Sequence, residues 1–153
     1  MAARKNGEDI YQVLKQDHQT VQKLFEQIEG TSDRAQKSRL QLFEQLSGEL
    51  LAHAHAEQEI FYRTLLDLVE DRDMLLEAFE EHGVVETLIK DIEGCDPSEE
   101  RWLAKVTVLK EMVEHHVEEE EKEMFRAAKK VLSAEEAREL ARRMQEQKSA
   151  QRS

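Results

Sequence analysis

The sequence predicts an all-α protein, an antiparallel up-down-up-down four-helix bundle followed by a short C-terminal helix. Apolar residues recur at steps of three and four along four long segments, which is the period of helices buried on one face. The chain has only five glycines and one proline, so it offers few places where a helix must break. Short connections between long helices favour antiparallel neighbours.

The predicted boundaries follow from these stripes and from capping signals. We interpret residues 1–153 as a single domain with a core over about 8–131. The first three helices are predicted over about 8–29, 35–69 and 72–93. Asp96, Pro97 and Glu99 indicate the start of the fourth, which ends near residue 131. A second capping box, Ser133 with Glu136, opens the C-terminal helix over about 133–147.

The second and fourth helices carry the longest core stripes. The predicted inward residues of the second are Phe43, Leu46, Leu50, His53, Glu57, Ile60, Thr64 and Leu68. Those of the fourth are Val106, Leu109, Val113, His116, Glu120, Met124, Ala127 and Val131. Both lists assume an uninterrupted α-helical period of 3.6 residues per turn.

The charge and cysteine content limit the partners and the compartment. The net charge is −12, so the chain should repel nucleic acid and anionic membrane surfaces. Cys95 is the single cysteine, which excludes an intrachain disulfide and favours a reducing compartment. No apolar run approaches the roughly 18 residues of a membrane span, and residues 1–7 lack the apolar core of a signal peptide. We therefore predict a cytoplasmic protein without a membrane or nucleic-acid partner.

Ionisable residues interrupt the apolar stripe of every long helix near its middle. Residues four apart share one helical face, so a His-x-x-x-Glu pair points an imidazole and a carboxylate at the same spot. Burying such groups is costly unless they are paired or bind a metal. The predicted metal ligands are His18, His53, Glu57, His82, Glu86, His116 and Glu120.

Helical phase separates core histidines from surface histidines. Five of the six histidines have a glutamate four residues later, so the spacing alone does not discriminate. His53, His82 and His116 continue the core stripes of their helices. His55 and His115 are turned away from those stripes by about 200° and 100°, so we predict that they lie at the surface.

The ligand set points to two metal ions. Zinc is satisfied by four ligands, and seven candidates suggest a pair of ions. Mixed imidazole and carboxylate ligation suits non-haem iron, and manganese is compatible with it. We predict two iron ions joined by an oxo or hydroxo bridge, with manganese or zinc as alternatives. Within the charge run 118–121, Glu120 alone is in phase, and the other glutamates are predicted to be solvated.

The runs 53–62 and 116–125, with the pair Glu81-His82, resemble the hemerythrin HHE cation-binding domain over about residues 8–147. The resemblance implies that His18 and His53 ligate one iron. It implies that His82, Glu86 and His116 ligate the other, and that Glu57 and Glu120 bridge the two.

The sequence departs from the family pattern at three positions. Animal oxygen carriers of the family have a third histidine where this chain has Glu86. Many family members have proline where Arg63 and Arg126 stand, which concerns only how the helices end. An added carboxylate ligand stabilises Fe³⁺ over Fe²⁺, so Glu86 disfavours a reversible oxygen carrier.

The resemblance implies a diiron module that binds or reacts with O2 or NO, for sensing, storage or buffering. Two alternatives stay open, namely an enzyme that decomposes peroxide or reduces NO, and a protein that handles iron. Catalytic residues are not assigned, because no nucleophile with an adjacent base is evident in the sequence. The expected partners are a small diatomic ligand or peroxide, together with an unspecified redox or signalling protein.

Overall fold

The computed structural model describes residues 7–152, and the side chains of residues 7–150. The segment 1–6, which bears on the predicted absence of a signal peptide, lies outside the described residues. The described chain forms five helices and confirms the predicted all-α class. Among these helices none has the length and apolar character needed to cross a membrane.

Two of the five helices contain a π turn. Helix α1 is Ile10–Glu29, α3 is Arg72–Glu93 and α5 is Ala134–Arg152. Helix α2 consists of Gln36–Ala56, a π turn at Glu57–Tyr62, and Arg63–Leu66. Helix α4 consists of Glu100–Glu119, a π turn at Glu120–Met124, and Phe125–Val131.

The bundle has an apolar cluster at each end. One cluster joins residues from the start of α1 and α3 to residues from the end of α2 and α4, including Ile10, Phe61, Leu75 and Phe125. The first residues of α1 and α3 therefore lie next to the last residues of α2 and α4. Successive helices run in opposite directions, as predicted for an up-down-up-down bundle. The second cluster, centred on the buried Trp102, closes the opposite end. The histidines and glutamates in mid-helix lie between the two clusters.

The π turns shift the core stripe by one residue. Leu65, rather than the predicted Thr64, is fully buried, and Leu68 is exposed. In α4 the buried residues become Phe125, Ala128 and Leu132 in place of the predicted Ala127 and Val131. A π turn pairs residue i with i+5, one residue more than an α turn, and so every later side chain is displaced around the helix.

Local capping explains most helix starts, with one correction. Asp9 and Gln12 form a capping box at α1, and Ser133 and Glu136 form the predicted box at α5. The predicted start of α4 was wrong by about three residues. Asp96 instead accepts hydrogen bonds from the backbone and hydroxyl of Ser98, which stabilises a turn before the helix.

Helix α5 is longer than predicted and is an integral part of the bundle. It continues to Arg152, five residues beyond the predicted end near 147. It packs against α1, α2 and the π turn of α2. Its buried residues include Leu140 and Met144, which join the same apolar cluster as Phe61 and Phe125.

Candidate metal centre

Six of the seven predicted ligands meet in the layer between the apolar clusters. They form two groups in which the possible ligand atoms lie within 4.8 Å of one another. The first pocket, as we call it, consists of His18, His53, Glu57 and Glu120. The second pocket is built on Glu57, His82 and His116.

The first pocket holds buried polar atoms that lack hydrogen-bond partners. They are Nε2 of His18, Oε2 of Glu57 and Oε1 of Glu120. His18 Nε2 lies 3.2 Å from Glu120 Oε1, but the contact lacks hydrogen-bonding geometry. His53 Nε2 lies 3.5 Å from Glu57 Oε2. Three buried polar atoms without hydrogen-bond partners and the Nε2 atom of His53 therefore converge in this pocket.

The second pocket contains the hydroxyl of Tyr62, which the sequence analysis did not identify. This hydroxyl lies 2.9 Å from Glu57 Oε1 and 2.5 Å from Glu120 Oε2. It also lies 3.3 Å from Nε2 of His82 and 3.0 Å from Nε2 of His116. Burial, Glu120 and Glu57 hold the pKa of Tyr62 well above its usual value, so the hydroxyl keeps its proton.

Glu57 and Glu120 span both pockets. The Oε2 atom of Glu57 faces the first pocket, and its Oε1 atom lies 3.1 Å from His82 Nε2 in the second. Glu120 divides its oxygens in the same way, with Oε1 toward His18 and Oε2 3.4 Å from His116 Nε2. Each residue also begins the π turn of its helix. The two carboxylates thus connect the pockets, as a bridging pair would.

An outer acceptor orients each of the four imidazoles through Nδ1. The Nδ1–H groups of His18, His53, His82 and His116 donate to Glu121, Asp17, Gln58 and Glu81, at 2.6, 2.9, 2.7 and 2.7 Å respectively. Each acceptor comes from the preceding helix, and the series closes because Glu121 of α4 holds the histidine of α1. This ring turns every Nε2 atom toward a pocket.

Sequence reasoning missed these acceptors, and a simple signal identifies them. Each one is the immediate sequence neighbour of a pocket residue, as Asp17 is of His18 and Gln58 is of Glu57. Neighbours in sequence point about 100° apart on a helix, so one faces the pocket and the other reaches the next helix. The prediction that Glu121 is merely solvated was therefore wrong.

The buried carboxylates raise the proton affinity of three imidazoles. Burial disfavours a charge on His53, but the Glu57 carboxylate outweighs it and raises the pKa of His53 to about 10. Burial also opposes a charge on His18 and His116, yet the neighbouring Glu120 carboxylate raises the pKa of both. Burial would raise the pKa of Glu57, but His53 and the other imidazoles hold it well below its usual value. The carboxylates therefore favour positive charge in both pockets.

The residues fit a pair of cations. A carboxylate or an amide oxygen accepts hydrogen bonds, so Nδ1 carries a proton, and Nε2 can present a lone pair to a metal ion that displaces the second proton of the ring. The second pocket has four possible ligand atoms around the hydroxyl of Tyr62. The first pocket has three atoms without partners. A metal ion in each pocket would satisfy these lone pairs and replace the protons on the imidazoles.

The structure does not bring Glu86 to the cluster, so the prediction that it points at the same spot as His82 was wrong. Its side chain is 47% exposed, and Oε1 lies 3.7 Å from His55 Nε2. Four residues advance an α-helix by about 400°, so Glu86 is turned about 40° from His82 and lies one turn further along. Glu57 and Glu120 have the same spacing from their histidines but each begins a π turn, whereas α3 is α-helical throughout, and its Glu86 lies at the outer flank. The predicted surface positions of His55 and His115 are confirmed.

Two surface cavities reach the pockets. One has a volume of about 130 Å³ and extends to His116 and Glu120, and its wall carries the carboxylates of Asp71, Asp73, Glu77, Glu81, Glu119 and Glu123. The other, of about 460 Å³, extends to His18 between α1 and α4 and includes the apolar side chains of Phe25 and Val113. The first should attract cations, while the second also accommodates small uncharged molecules.

Comparison with known families gives a match over most of the bundle. Residues 9–128 match the family described as hemerythrin HHE cation binding domain. The match includes all six residues of the two pockets and Tyr62. It ends before α5, which begins at Ala134.

Two similar proteins extend this comparison. A crystal structure of a hemerythrin HHE cation binding domain-containing protein from Mycobacterium kansasii is 25% identical, with a TM-score of 0.84. The similarity covers 95% of this chain and 88% of that one. A protein named DNA nickase from Nostoc sp. is 30% identical over 145 residues, which are 95% of this chain. The chain spans 40% of that relative's length.

Proposed function

Because the chain belongs to the hemerythrin HHE cation-binding domain family, we propose that its two pockets hold a pair of iron ions that binds or reacts with O2 or NO. The observation that carries this proposal is the sharing of Glu57 and Glu120 between two adjacent groups of imidazoles. Imidazole and carboxylate ligands together suit non-haem iron. The unpartnered buried atoms of the first pocket support a cation rather than a purely hydrogen-bonded core.

Six residues would hold the metals. His18 and His53 would bind the ion in the first pocket, and His82 and His116 the ion in the second. Glu57 and Glu120 would contact both ions. The outer acceptors would keep the four imidazoles in the required tautomer, since their Nδ1–H groups are already engaged.

An iron pair supplies electrons one at a time and offers coordination positions to a small ligand. The protein positions Tyr62, whose hydroxyl can donate a hydrogen bond beside the second pocket. The apolar clusters on both sides limit access of water to this layer. The cavity beside His18 provides a path for an uncharged diatomic molecule.

The position of Glu86 changes what the site implies about oxygen binding. With Glu86 at the outer flank, the pockets contain two carboxylates rather than three. The additional negative charge that would favour Fe³⁺ is then absent from the pockets. Reversible binding of O2 is therefore compatible with this site. We accordingly propose storage or buffering of the ligand ahead of its rapid reduction.

Turnover of peroxide is a second candidate, and the observation that favours it is Tyr62. A hydroxyl 2.5 Å from Glu120 can pass a proton to or from a carboxylate that borders both pockets. Peroxide decomposition requires such proton transfer, whereas simple ligand binding does not. Loss of peroxide turnover in Tyr62→Phe, with both irons retained, would favour this candidate.

Iron handling is a third candidate, supported by the acidic cavity. Six carboxylates line this cavity, which ends at His116 and Glu120. Such a surface raises the local concentration of cations. Release of iron to a chelator within minutes in the reduced state would support this function over gas binding.

The similarity to the relative named DNA nickase does not lead us to propose action on DNA. The chain corresponds to 40% of that protein. The net charge of this chain, −12, opposes binding to the phosphate backbone of DNA.

Metal analysis with optical spectra tests the proposed function. We expect close to two irons per chain after expression in iron-replete medium. The near-ultraviolet absorption of the oxidised protein should disappear on reduction and should change on addition of O2 or NO. A stoichiometry near one, or zinc that iron does not displace, would contradict the proposal.

A further inference from the structure

Helix α5 contributes a buried lysine to the polar layer of the bundle. Lys148 is 3% exposed, and its ammonium Nζ lies 2.5 Å from Oδ2 of Asp17 on α1. A lysine is rarely buried to this extent without a specific partner, because removing the charge from water is costly. The ion pair therefore indicates a requirement for positive charge next to Asp17.

The same oxygen of Asp17 orients a histidine of the first pocket. Oδ2 accepts the Nδ1–H of His53 at 2.9 Å, and His53 Nε2 faces Glu57 Oε2 at 3.5 Å. A chain of contacts thus runs from Lys148 through Asp17 to the pocket. Its members come from three different helices.

Asp17 differs from the other acceptors of the imidazole ring in its burial. Its side chain is 7% exposed, compared with 31% for Glu121 and 23% for Glu81. Water can stabilise the charge of the two more exposed carboxylates. Asp17 depends on the protein for that stabilisation, to which the imidazole of His53 and the ammonium of Lys148 both contribute.

The apolar face of α5 sets the position of this ammonium. Leu140, Ala141 and Met144 are buried against the bundle, and Lys148 follows Met144 by four residues on the same face. Docking of this face places Lys148 next to Asp17 without a separate loop or turn. Helix α5 lies outside the region 9–128 that matches the family, so the family pattern does not include this contact.

We propose that Lys148 is a positioning residue for the first pocket, through which α5 holds Asp17 and keeps His53 turned toward the metal. The proposal rests on the proposed metal-binding function. Without the ammonium, the buried carboxylate loses the positive partner that remains when a metal is bound to His53, and the Asp17 side chain should hydrate or rotate away. His53 then loses the acceptor that orients its ring. The two histidines of the second pocket keep their acceptors, Gln58 and Glu81.

The experiment compares Lys148→Met, Lys148→Arg and the control Arg142→Met in the full chain. Arg142 is an exposed cation of α5 that pairs with Glu139 and Glu146 of the same helix. Co²⁺ and Zn²⁺ serve as probes in competition with a chelator, so the result does not depend on iron. We expect Lys148→Met to weaken one of two binding steps by about 10- to 100-fold, the usual effect of losing an outer partner of a metal-binding histidine. Lys148→Arg should restore that step, and Arg142→Met should change neither step.

A second readout reports on the imidazole itself. Nitrogen-15 NMR of the zinc-loaded protein, in which the metal has replaced the second proton of the ring, distinguishes an Nδ1–H form of His53 from a mixture of tautomers. We expect the wild type to show the Nδ1–H form and Lys148→Met to show the mixture. The signals of His82 and His116 should not change. A general loosening of the bundle would instead alter the signals of all the buried histidines.

The double variant Asp17→Asn/Lys148→Met keeps the test informative if Lys148→Met fails to fold. An asparagine carbonyl can accept the Nδ1–H of His53 and needs no counter-charge. We expect this variant to fold and to recover most of the affinity that Lys148→Met loses. Unchanged binding and unchanged His53 signals in Lys148→Met would overturn the proposal, as would a double variant that folds and binds no better than Lys148→Met. A wild type that binds Co²⁺ or Zn²⁺ in two steps but does not take up two irons would contradict the proposed function and leave this inference intact.

Discussion

The first and second pockets share two carboxylates and have two imidazoles each, yet they differ in what lies at their centres. The first has three buried atoms without partners. In the second, the Tyr62 hydroxyl lies within 3.3 Å of all four polar atoms. The comparison teaches that similar ligands do not make equivalent sites. The first pocket is open to a cation, whereas a cation entering the second must rearrange the hydrogen bonds of Tyr62.

The largest expected effect comes from the residue that both pockets share. Glu57→Gln should lower the metal content from about two per chain to below one, because a neutral amide is a weaker ligand in both pockets. Elemental analysis after dialysis measures this loss. Glu59→Gln is the matched control, since Glu59 lies two residues away and its side chain is 48% exposed. Retention of two metals in Glu57→Gln would show that the carboxylate does not bridge.

The next effect separates the two pockets. His53→Ala and His116→Ala should each remove about one metal per chain, since each residue belongs to a different pocket. The exposed His55 and His115 provide controls, and their alanine variants should keep both metals. Stepwise titration with Co²⁺ should show one surviving step in each core variant. Equal losses in all four variants would contradict the assignment by helical phase.

Tyr62→Phe should affect the second pocket selectively. Removing the hydroxyl leaves buried acceptors without a donor, which should destabilise the metal-free protein by about 1–3 kcal/mol. The affinities of the two metal steps should also become more similar, because the second cation no longer competes with the hydroxyl. Denaturant unfolding and calorimetric titration measure these quantities. A second step that disappears in Tyr62→Phe would show instead that the phenol is a required ligand.

The pH dependence should distinguish the metal-free protein from the loaded one. The pKa of His53 is raised from 6.5 to about 10, so its protonated form stabilises the fold fully below pH 6.5. This contribution is lost as the pH rises through 10. The Tm of the metal-free protein should therefore fall between pH 7 and 10, and metal binding should release protons in this range. The loaded protein should show a smaller fall in Tm, since the metal has replaced the protons.

The smallest expected effect concerns Glu86. Because this carboxylate lies at the outer flank beside His55, Glu86→Gln should retain both metals and both titration steps. The reduction potential should also be unchanged within error. Loss of a metal in this variant would show that Glu86 moves into the second pocket when a metal binds.

The helices and six of the seven predicted positions in the polar layer between the apolar clusters follow from local periodicity. His53, His82 and His116 continue apolar stripes, and a stripe identifies the buried face wherever the helix is regular. The same reasoning failed for Glu86, because the spacing of residues reports direction on a helix and does not report depth in the bundle. It failed again for Thr64 and Leu68, which follow a π turn.

By itself the sequence determined the helical class, the alternating bundle and the four histidines that face its interior. These properties depend on residue spacing along each helix, which is a local quantity. The tertiary structure decided the π turns, the entry of Tyr62 into the second pocket, the ring of acceptors around the imidazoles and the pairing of Lys148 with Asp17. Each of these depends on which helices meet and at what depth. The relative position of the helices depends on which buried polar groups form hydrogen bonds across helix boundaries. The sequence of one helix alone does not specify these pairs.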